Sequence, residues 1–222
     1  MKRLLVSLFV ASMAYTAHAQ GSVDLDEIRR LTQDTNSRYF YDTLVNEFVT
    51  DPNNIELTKG KSIYYGKLFS RYYKVYEFSD DESVFHEHID KQHFWQAIEL
   101  GERILCEDPI NLDILVNMFQ CYIIVGLQQQ ARVTKRKLDV LYNCILFSGT
   151  GETRETAYRV ISVGDEYAMI GMLGHNGLSR QTVVTGNSII DSWTIRDEKT
   201  GAKKDLHFEV IVNEEAMSKL DR

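Results

Sequence analysis

Apolar residues recur at the spacing of an α-helix over the first two thirds of the chain. Two apolar runs on either side of a turn at residues 51–54 predict helical structure, with a break near residue 36 and with Thr58 as the N-cap of the second run. The periodicity is clearest after residue 90. It predicts three helices, which cover residues 93–107, 112–125 and 128–147.

The period changes from 3.6 to 2 near the C-terminus. A short helix is expected over residues 155–163, and a glycine-rich stretch with little helical pattern follows it. Residues 188–196 and 206–212 then alternate in polarity around a glycine-containing turn, which predicts a β-hairpin, and Gln181–Thr185 is a candidate third strand. The alternation places Ile189, Trp193 and Ile195 on one face and His207 and Glu209 on the solvent side.

These patterns predict an α+β protein. Residues 20–149 form a mainly helical, repeat-like body, and residues 150–222 form a short helix with a C-terminal antiparallel β-hairpin or small sheet packed on that body.

The central helices resemble tetratricopeptide repeats, in which antiparallel helices recur about every 34 residues. If Pro109 is the closing proline, Ala97 and Gly101 occupy small-residue positions of the preceding helix. The next unit matches at Leu115, Met118, Tyr122, Gly126 and Ala131. Phe119 departs from the pattern, because a small residue usually stands there. The match extends over one and a half units, and since a free-standing solenoid needs three or more, flanking segments must cap it.

The N-terminus has the pattern of a secretory signal peptide. Met1-Lys2-Arg3 is basic, an apolar stretch runs from Leu4 to about Ala14, and Ala17-His18-Ala19 is a cleavage motif. The apolar stretch is about half the ~20 residues that a membrane span needs, and no later segment is long and apolar enough. We therefore expect residues 1–19 to be removed near Ala19, and the protein to be periplasmic or secreted.

Charge narrows the range of partners. Removal of Lys2 and Arg3 leaves 23 basic against 32 acidic residues, so the net charge changes from −7 to −9. An acidic chain repels phosphate backbones, which argues against nucleic acid as a partner. The three cysteines, Cys106, Cys121 and Cys144, are expected to be buried thiols, with a Cys106–Cys121 disulfide as the alternative.

Several segments together resemble a family of exported proteins of Bacteroides-type bacteria, called domain of unknown function 4919. The segments are residues 36–41 (NSRYFY), 57–58 (LT), 64–66 (YYG), 108–112 (DPINL), 145–151 (ILFSGTG), 155–163 (ETAYRVISV) and 166–167 (EY). The resemblance implies export and a helical body with a β end. It implies no activity, because the function of the family is unassigned. Arg159 and Asp165 stand where the family is expected to have histidines.

Tyrosines before residue 80 are the candidate binding surface. Tyr39, Tyr41, Tyr64 and Tyr65 stand in two pairs, and a tyrosine offers an interface both apolar area and a hydroxyl group. The alternative is that half of each cluster faces the core.

The sequence also contains a candidate metal site and a candidate anion site. His86, Asp90 and His93 would share a face if this segment were helical, as a transition metal requires, but a solvated polar connection has the same composition. The loop around Thr150 could direct N–H groups at an anion, although helix capping by Thr153 or Thr156 explains the same residues.

The sequence thus favours an exported, non-enzymatic protein- or peptide-binding module of the cell envelope. The alternative is an envelope hydrolase with a site near residues 149–166, which a deep pocket lined by Glu155, Asp165, Glu166 and a histidine would favour. Thr150, Glu155 and Glu166 of this segment are also candidate binding residues. No GxSxG elbow and no cofactor motif is present, and whether the chain is an enzyme stays open, as does its oligomeric state.

Overall fold

The computed structural model describes residues 23–73, 79–185 and 188–213. They form two compact units, a helical unit of residues 23–146 with 212–213 and a C-terminal unit of residues 147–211. The expected signal peptide lies outside the described residues. The predicted α+β class, mainly helical with a small C-terminal sheet, is confirmed.

The helical unit contains seven α-helices within the described residues. They are α1 (Leu25–Gln33), α2 (Tyr41–Thr50), α3 (Leu57–Gly66), α4 (Asp80–Asp90), α5 (Phe94–Glu107), α6 (Leu112–Ile124) and α7 (Gln128–Leu146), with single 3-10 turns at Pro52–Asn54 and Lys67–Phe69. α1 and α2 pack on α3, α3 packs on α7, and from α4 to α7 each helix packs on the next. The predicted helices before residue 150 are therefore present.

Side-chain caps define where several helices begin. Ser79 and Glu82 form a reciprocal capping box at the start of α4, and Asn111 caps α6 by accepting a hydrogen bond from the Ile114 N–H at 3.2 Å. The Asn111 amide also donates to Glu82 at 2.7 Å and so connects the starts of α4 and α6. The expected cap at Thr58 is wrong, because Glu56 stands at the N-cap of α3, two residues earlier.

In the core of the helical unit, α5 packs closely against its neighbours at Gly101. A Cβ atom at this position would lie 2.3 Å from Met118 Sδ on α6 and 2.8 Å from Phe85 Cε2 on α4. Both of those side chains are fully buried. The small residue that the repeat-like pattern places here thus allows three helices to approach one another.

The cysteines are all free thiols in the structure. Cys121 and Cys144 are buried, as expected, and burial raises their pKa to about 11 and about 12. The expectation that Cys106 is also buried is wrong, because it lies on the exposed side of the last turn of α5.

Within the described residues, the C-terminal unit is a four-stranded sheet with one helix. Its elements are β1 (Tyr158–Val160), α8 (Val163–Met172), β2 (His175–Thr185), β3 (Ser188–Asp197) and β4 (Lys203–Val210). The strand order is β1-β4-β3-β2; β1 pairs with β4 in parallel and the other pairs are antiparallel. The predicted hairpin is β3–β4. The candidate third strand is β2, which begins six residues before the predicted start.

The helix expected over residues 155–163 is wrong. Residues 158–160 form β1, and the helix starts only at Val163, where the Ser162 hydroxyl accepts a hydrogen bond from the Asp165 N–H at 3.2 Å. Gly164 and Gly171 lie inside α8, and these two residues of poor helix propensity weaken the helical pattern of this segment in the sequence.

No helix among the described residues combines the length and the apolar character that crossing a membrane requires.

Gly101→Ala should lower the free energy of unfolding by about 1 kcal/mol or more, because the added methyl group overpacks the contact with Met118 and Phe85. Urea denaturation monitored by circular dichroism measures this change in the free energy of unfolding. Gly171→Ala is the matched control, since a Cβ there meets nothing within 4 Å. It should be neutral, or stabilising by up to about 1 kcal/mol through helix propensity. Equal effects of the two substitutions would contradict the packing argument.

Candidate functional sites

Two groups of polar side chains stand out among the described residues. The carboxyl cluster lies in the C-terminal unit and consists of Glu166, Arg180, Thr182, Asp191 and Trp193. The basic cleft lies in the helical unit between α6 and α7.

The carboxyl cluster is built on the buried face of the sheet. β3 directs Ile189, Asp191, Trp193 and Ile195 to this face, so that a carboxyl group replaces one member of an apolar row. The register of β2 places Thr182 opposite Asp191 and Arg180 opposite Trp193. Glu166 reaches the same place from α8, which packs on β2. Three elements therefore converge on two carboxyl groups.

Each carboxyl group has polar partners in the cluster. The indole N–H of Trp193 donates to Glu166 Oε2 at 2.7 Å, and the Thr182 hydroxyl donates to Asp191. Arg180 Nη1 lies 3.7 Å from Asp191 Oδ2 and 4.0 Å from Glu166 Oε2.

Three neighbouring residues contact the indole ring of Trp193. The guanidinium of Arg180 lies 5.7 Å from the centre of this ring. Tyr167 meets it edge-on, with the ring centres 4.9 Å apart. Gly177 on β2 abuts the same indole, since a Cβ there would come within 2.8 Å of a ring carbon.

Burial keeps Glu166 neutral. Its side chain is 0% exposed, and desolvation raises the pKa of its carboxyl group to about 9, with a further contribution from Asp191. The hydrogen bond from Trp193 and the charge of Arg180 act in the opposite direction but are smaller. Glu166 Oε1 has no hydrogen-bond partner among the described residues, which adds to the cost of ionising this group. Glu166 therefore carries a proton at neutral pH.

The carboxyl cluster is closed to substrates in this conformation. Glu166 and Asp191 are 0% and 1% exposed, so neither oxygen pair reaches solvent. Their arrangement can hold a proton and fasten α8 to the sheet. Neither carboxyl group offers an accessible oxygen atom to a reacting molecule.

The basic cleft is open and has a volume of about 540 Å³. Its lining includes half-buried apolar side chains of α6, Phe119 and Ile123, and a row on α7 that faces them. The α7 row consists of Gln128, Ala131, Arg132, Val133, Lys135, Arg136 and Asp139, and Asn53 completes the lining. The cleft thus combines apolar contact area with cations.

Arg132 and Arg136 supply the positive charge of the cleft. Lys135 is paired with Asp139 at 2.5 Å, so its charge is largely balanced. Arg132 and Arg136 are exposed, and within the described part of the chain no carboxylate lies within 4.0 Å of either. They stand one helical turn apart, and helical spacing therefore places their side chains on one face of α7.

The structure distributes the predicted tyrosines between core and surface. Tyr41 is 3% exposed, and Tyr64 and Tyr65 are 0% exposed. Tyr39 is half-buried, with the guanidinium of Arg38 5.0 Å from its ring centre. Among these four residues, only Tyr39 offers surface to a partner.

The residues predicted near the 149–166 segment do not share a surface. Thr150 and Glu155 are exposed, whereas Glu166 is fully buried. The N–H groups of Thr150 and Gly151 both donate to the Thr156 carbonyl, at 2.9 and 2.8 Å. They are occupied within the loop, which argues against an anion site there.

The fold places only two of the three candidate metal ligands on one helix. His86 and Asp90 lie on α4, but this helix ends at Asp90 and His93 stands at the N-cap of α5. His86 Nε2 lies 2.8 Å from Asp113 Oδ2 on α6, a contact that raises the pKa of the imidazole. No group of three or more histidine, cysteine or carboxylate side chains among the described residues has an arrangement that could hold a metal ion.

Sequence reasoning did not identify Arg180, Asp191 or the arginines of α7. A signal for Asp191 was present, since it interrupts the apolar face that contains Ile189, Trp193 and Ile195. Phe119, which departs from the repeat pattern, lines the basic cleft.

Glu166→Gln should make the stability of the C-terminal unit less dependent on pH. The pKa of Glu166 rises from an ordinary value of 4.5 to about 9 on folding, so folding takes up a proton between these values. In the wild type the free energy of unfolding should then fall as pH rises from about 5 to 9, by up to about 1.4 kcal/mol per pH unit. Urea denaturation across this range should show a smaller slope for Glu166→Gln, and a more stable variant at the alkaline end. The exposed Glu152→Gln is the control and should keep the wild-type slope. If the free energy of unfolding of Glu166→Gln depends on pH as steeply as that of the wild type, the proton does not reside on Glu166.

Comparison with known proteins identifies a family and little else. No curated protein and no solved structure matches the chain. A family model described as a domain of unknown function (DUF4919) matches residues 26–217, a range that includes both the basic cleft and the carboxyl cluster. The chain belongs to the DUF4919 family.

Proposed function

We propose that this protein is a non-enzymatic binding module whose basic cleft takes an acidic segment of a protein or peptide. The observation that supports this most strongly is the unbalanced charge of Arg132 and Arg136 in a chain of net charge −7. A local cationic surface on an acidic protein attracts carboxylates and steers the approach of acidic partners, and it repels basic ones.

The apolar lining of the cleft defines the rest of the ligand. Phe119 and Ile123 are half-buried, and Val133, which also lines the cleft, is 41% exposed. Arginines next to an apolar surface are typical of the interface residues that contribute most of the binding energy. The ligand expected is therefore a segment with acidic residues next to a leucine- or phenylalanine-like anchor.

The alternative of an envelope hydrolase near residues 149–166 has less support. Its acidic residues are divided between the closed carboxyl cluster and the exposed loop. A general acid must come within hydrogen-bond reach of its substrate, and Glu166 does not in this conformation.

Replacing Arg132 and Arg136 together by alanine should weaken the binding of an acidic peptide about tenfold, which corresponds to about 1.4 kcal/mol. The probes are fluorescent synthetic peptides of glutamate–leucine repeats and, for comparison, of lysine–leucine repeats, measured by fluorescence anisotropy. The wild type should bind the acidic peptide only, and binding should weaken as salt rises.

The matched control replaces Arg30 and Arg103, exposed arginines on α1 and α5, by alanine. It removes the same charge from other surfaces and should leave affinity unchanged. Equal binding of both peptides, or equal losses in the two double variants, would reject the basic cleft as the binding site.

We further infer that the protein is exported and acts in the cell envelope or outside it. The support is the basic, apolar and Ala-His-Ala pattern of residues 1–19, which lie outside the described part of the chain. In the envelope, the partner would be a protein or peptide segment of that compartment.

Cleavage after Ala19 should leave Gln20 as the first residue of the protein recovered from the envelope. Intact-mass spectrometry of the native protein measures this directly. Ala19→Arg should block processing, because a large charged residue does not fit the small-residue position of the motif. Recovery of the unprocessed chain from the cytoplasm of wild-type cells would exclude export.

A further inference from the structure

β2 is an exposed edge strand. It stands at the end of the sheet order and, among the described residues, pairs only with β3. Residues 176–184 are all exposed. An edge strand presents a row of backbone donors and acceptors that another strand can satisfy.

The usual protections of an edge are weak on this strand. β2 contains neither lysine nor proline, and its register shift falls between Gly177 and Ser179, which leaves Ser179–Thr185 regular. Leu178, Val183 and Val184 expose 43%, 37% and 60% of their surface. A long, exposed and partly apolar edge favours pairing with another strand.

The charge of β2 indicates which strand fits. Within the regular segment, Arg180 is the single charged residue, and its guanidinium is turned toward Asp191 and Glu166 of its own unit. The charge of Arg180 is therefore balanced by Asp191 of its own unit, and this segment offers no unpaired charge that would select a charged peptide. A copy of itself meets it without repulsion between like charges.

We propose that β2 of one molecule pairs antiparallel with β2 of a second copy of this chain, around a two-fold axis near Thr182. In this register Val183 lies beside Gln181 of the second copy, and Val184 lies beside its Arg180. The two four-stranded sheets join into one of eight strands, and the interface is isologous, the commonest kind in homodimers.

The dimer should be weak and concentration-dependent. Two single strands bury less area than a standard interface, so dissociation is expected in the micromolar range. The net charge of −7 on each copy repels the other at long range, and added salt should therefore strengthen the dimer.

Sedimentation velocity of the purified chain at increasing micromolar concentrations tests this proposal. The wild type should convert from monomer to dimer, and hydrogen exchange of the amides of residues 179–185 should slow as it does so. Val183→Lys with Val184→Lys should raise the dissociation constant at least about tenfold, because it places like charges across the two-fold axis. Both side chains are exposed, so circular dichroism should show an unchanged fold.

Val49→Lys is the matched control, as it adds a lysine at a valine of α2 that is 41% exposed. It should leave the dimer intact. A monomer at every concentration, or a dimer that the β2 lysines do not weaken, would overturn the proposal. Protection of residues 179–185 by an added peptide but never by self-association would overturn it as well.

Discussion

The close approach of α5 to α4 and α6 at Gly101 is the constraint on which the helical unit depends. The absence of a side chain there lets Phe85 and Met118 meet over the α5 backbone and fill the core at fully buried positions. Once Met118 points inward, its neighbour Phe119 is directed to another side of α6 and lines the basic cleft. The packing of the core therefore positions the surface that we propose binds a ligand.

The C-terminal unit satisfies its buried carboxyl groups in a different way. Asp191 is held by Thr182 and Arg180, whereas Glu166 meets the indole of Trp193 and stays protonated. Two ionised carboxyl groups in the same buried space would repel each other strongly. A proton on one of them removes that repulsion and lets polar groups stand on the apolar face of a sheet.

The sequence predicted the elements better than the sites. Helical periodicity identified α5, α6 and α7, and alternation identified β3 and β4, because these segments bury one regular face. α8 was missed, since two glycines weaken its pattern and its start depends on the Ser162 cap. The sites depend on contacts between elements. Asp191 and Glu166 are 25 residues apart in sequence, and only the register of the sheet and the packing of α8 on β2 bring them together. The buried tyrosines show the same limit, because a tyrosine that packs in the core and one that faces a partner look alike in sequence.

The neutral state of Glu166 has a consequence for the surroundings of the protein. An unfolded chain near pH 7 holds this carboxyl group ionised, and the folded unit holds it protonated, so folding of each molecule withdraws close to one hydrogen ion from the solvent. The proton is therefore a stabilising ligand of the C-terminal unit, and acidification of the surroundings raises the free energy of unfolding of this unit by mass action. The heat of unfolding also includes the ionisation enthalpy of whichever buffer receives the released ion, so its measured value varies with the choice of buffer.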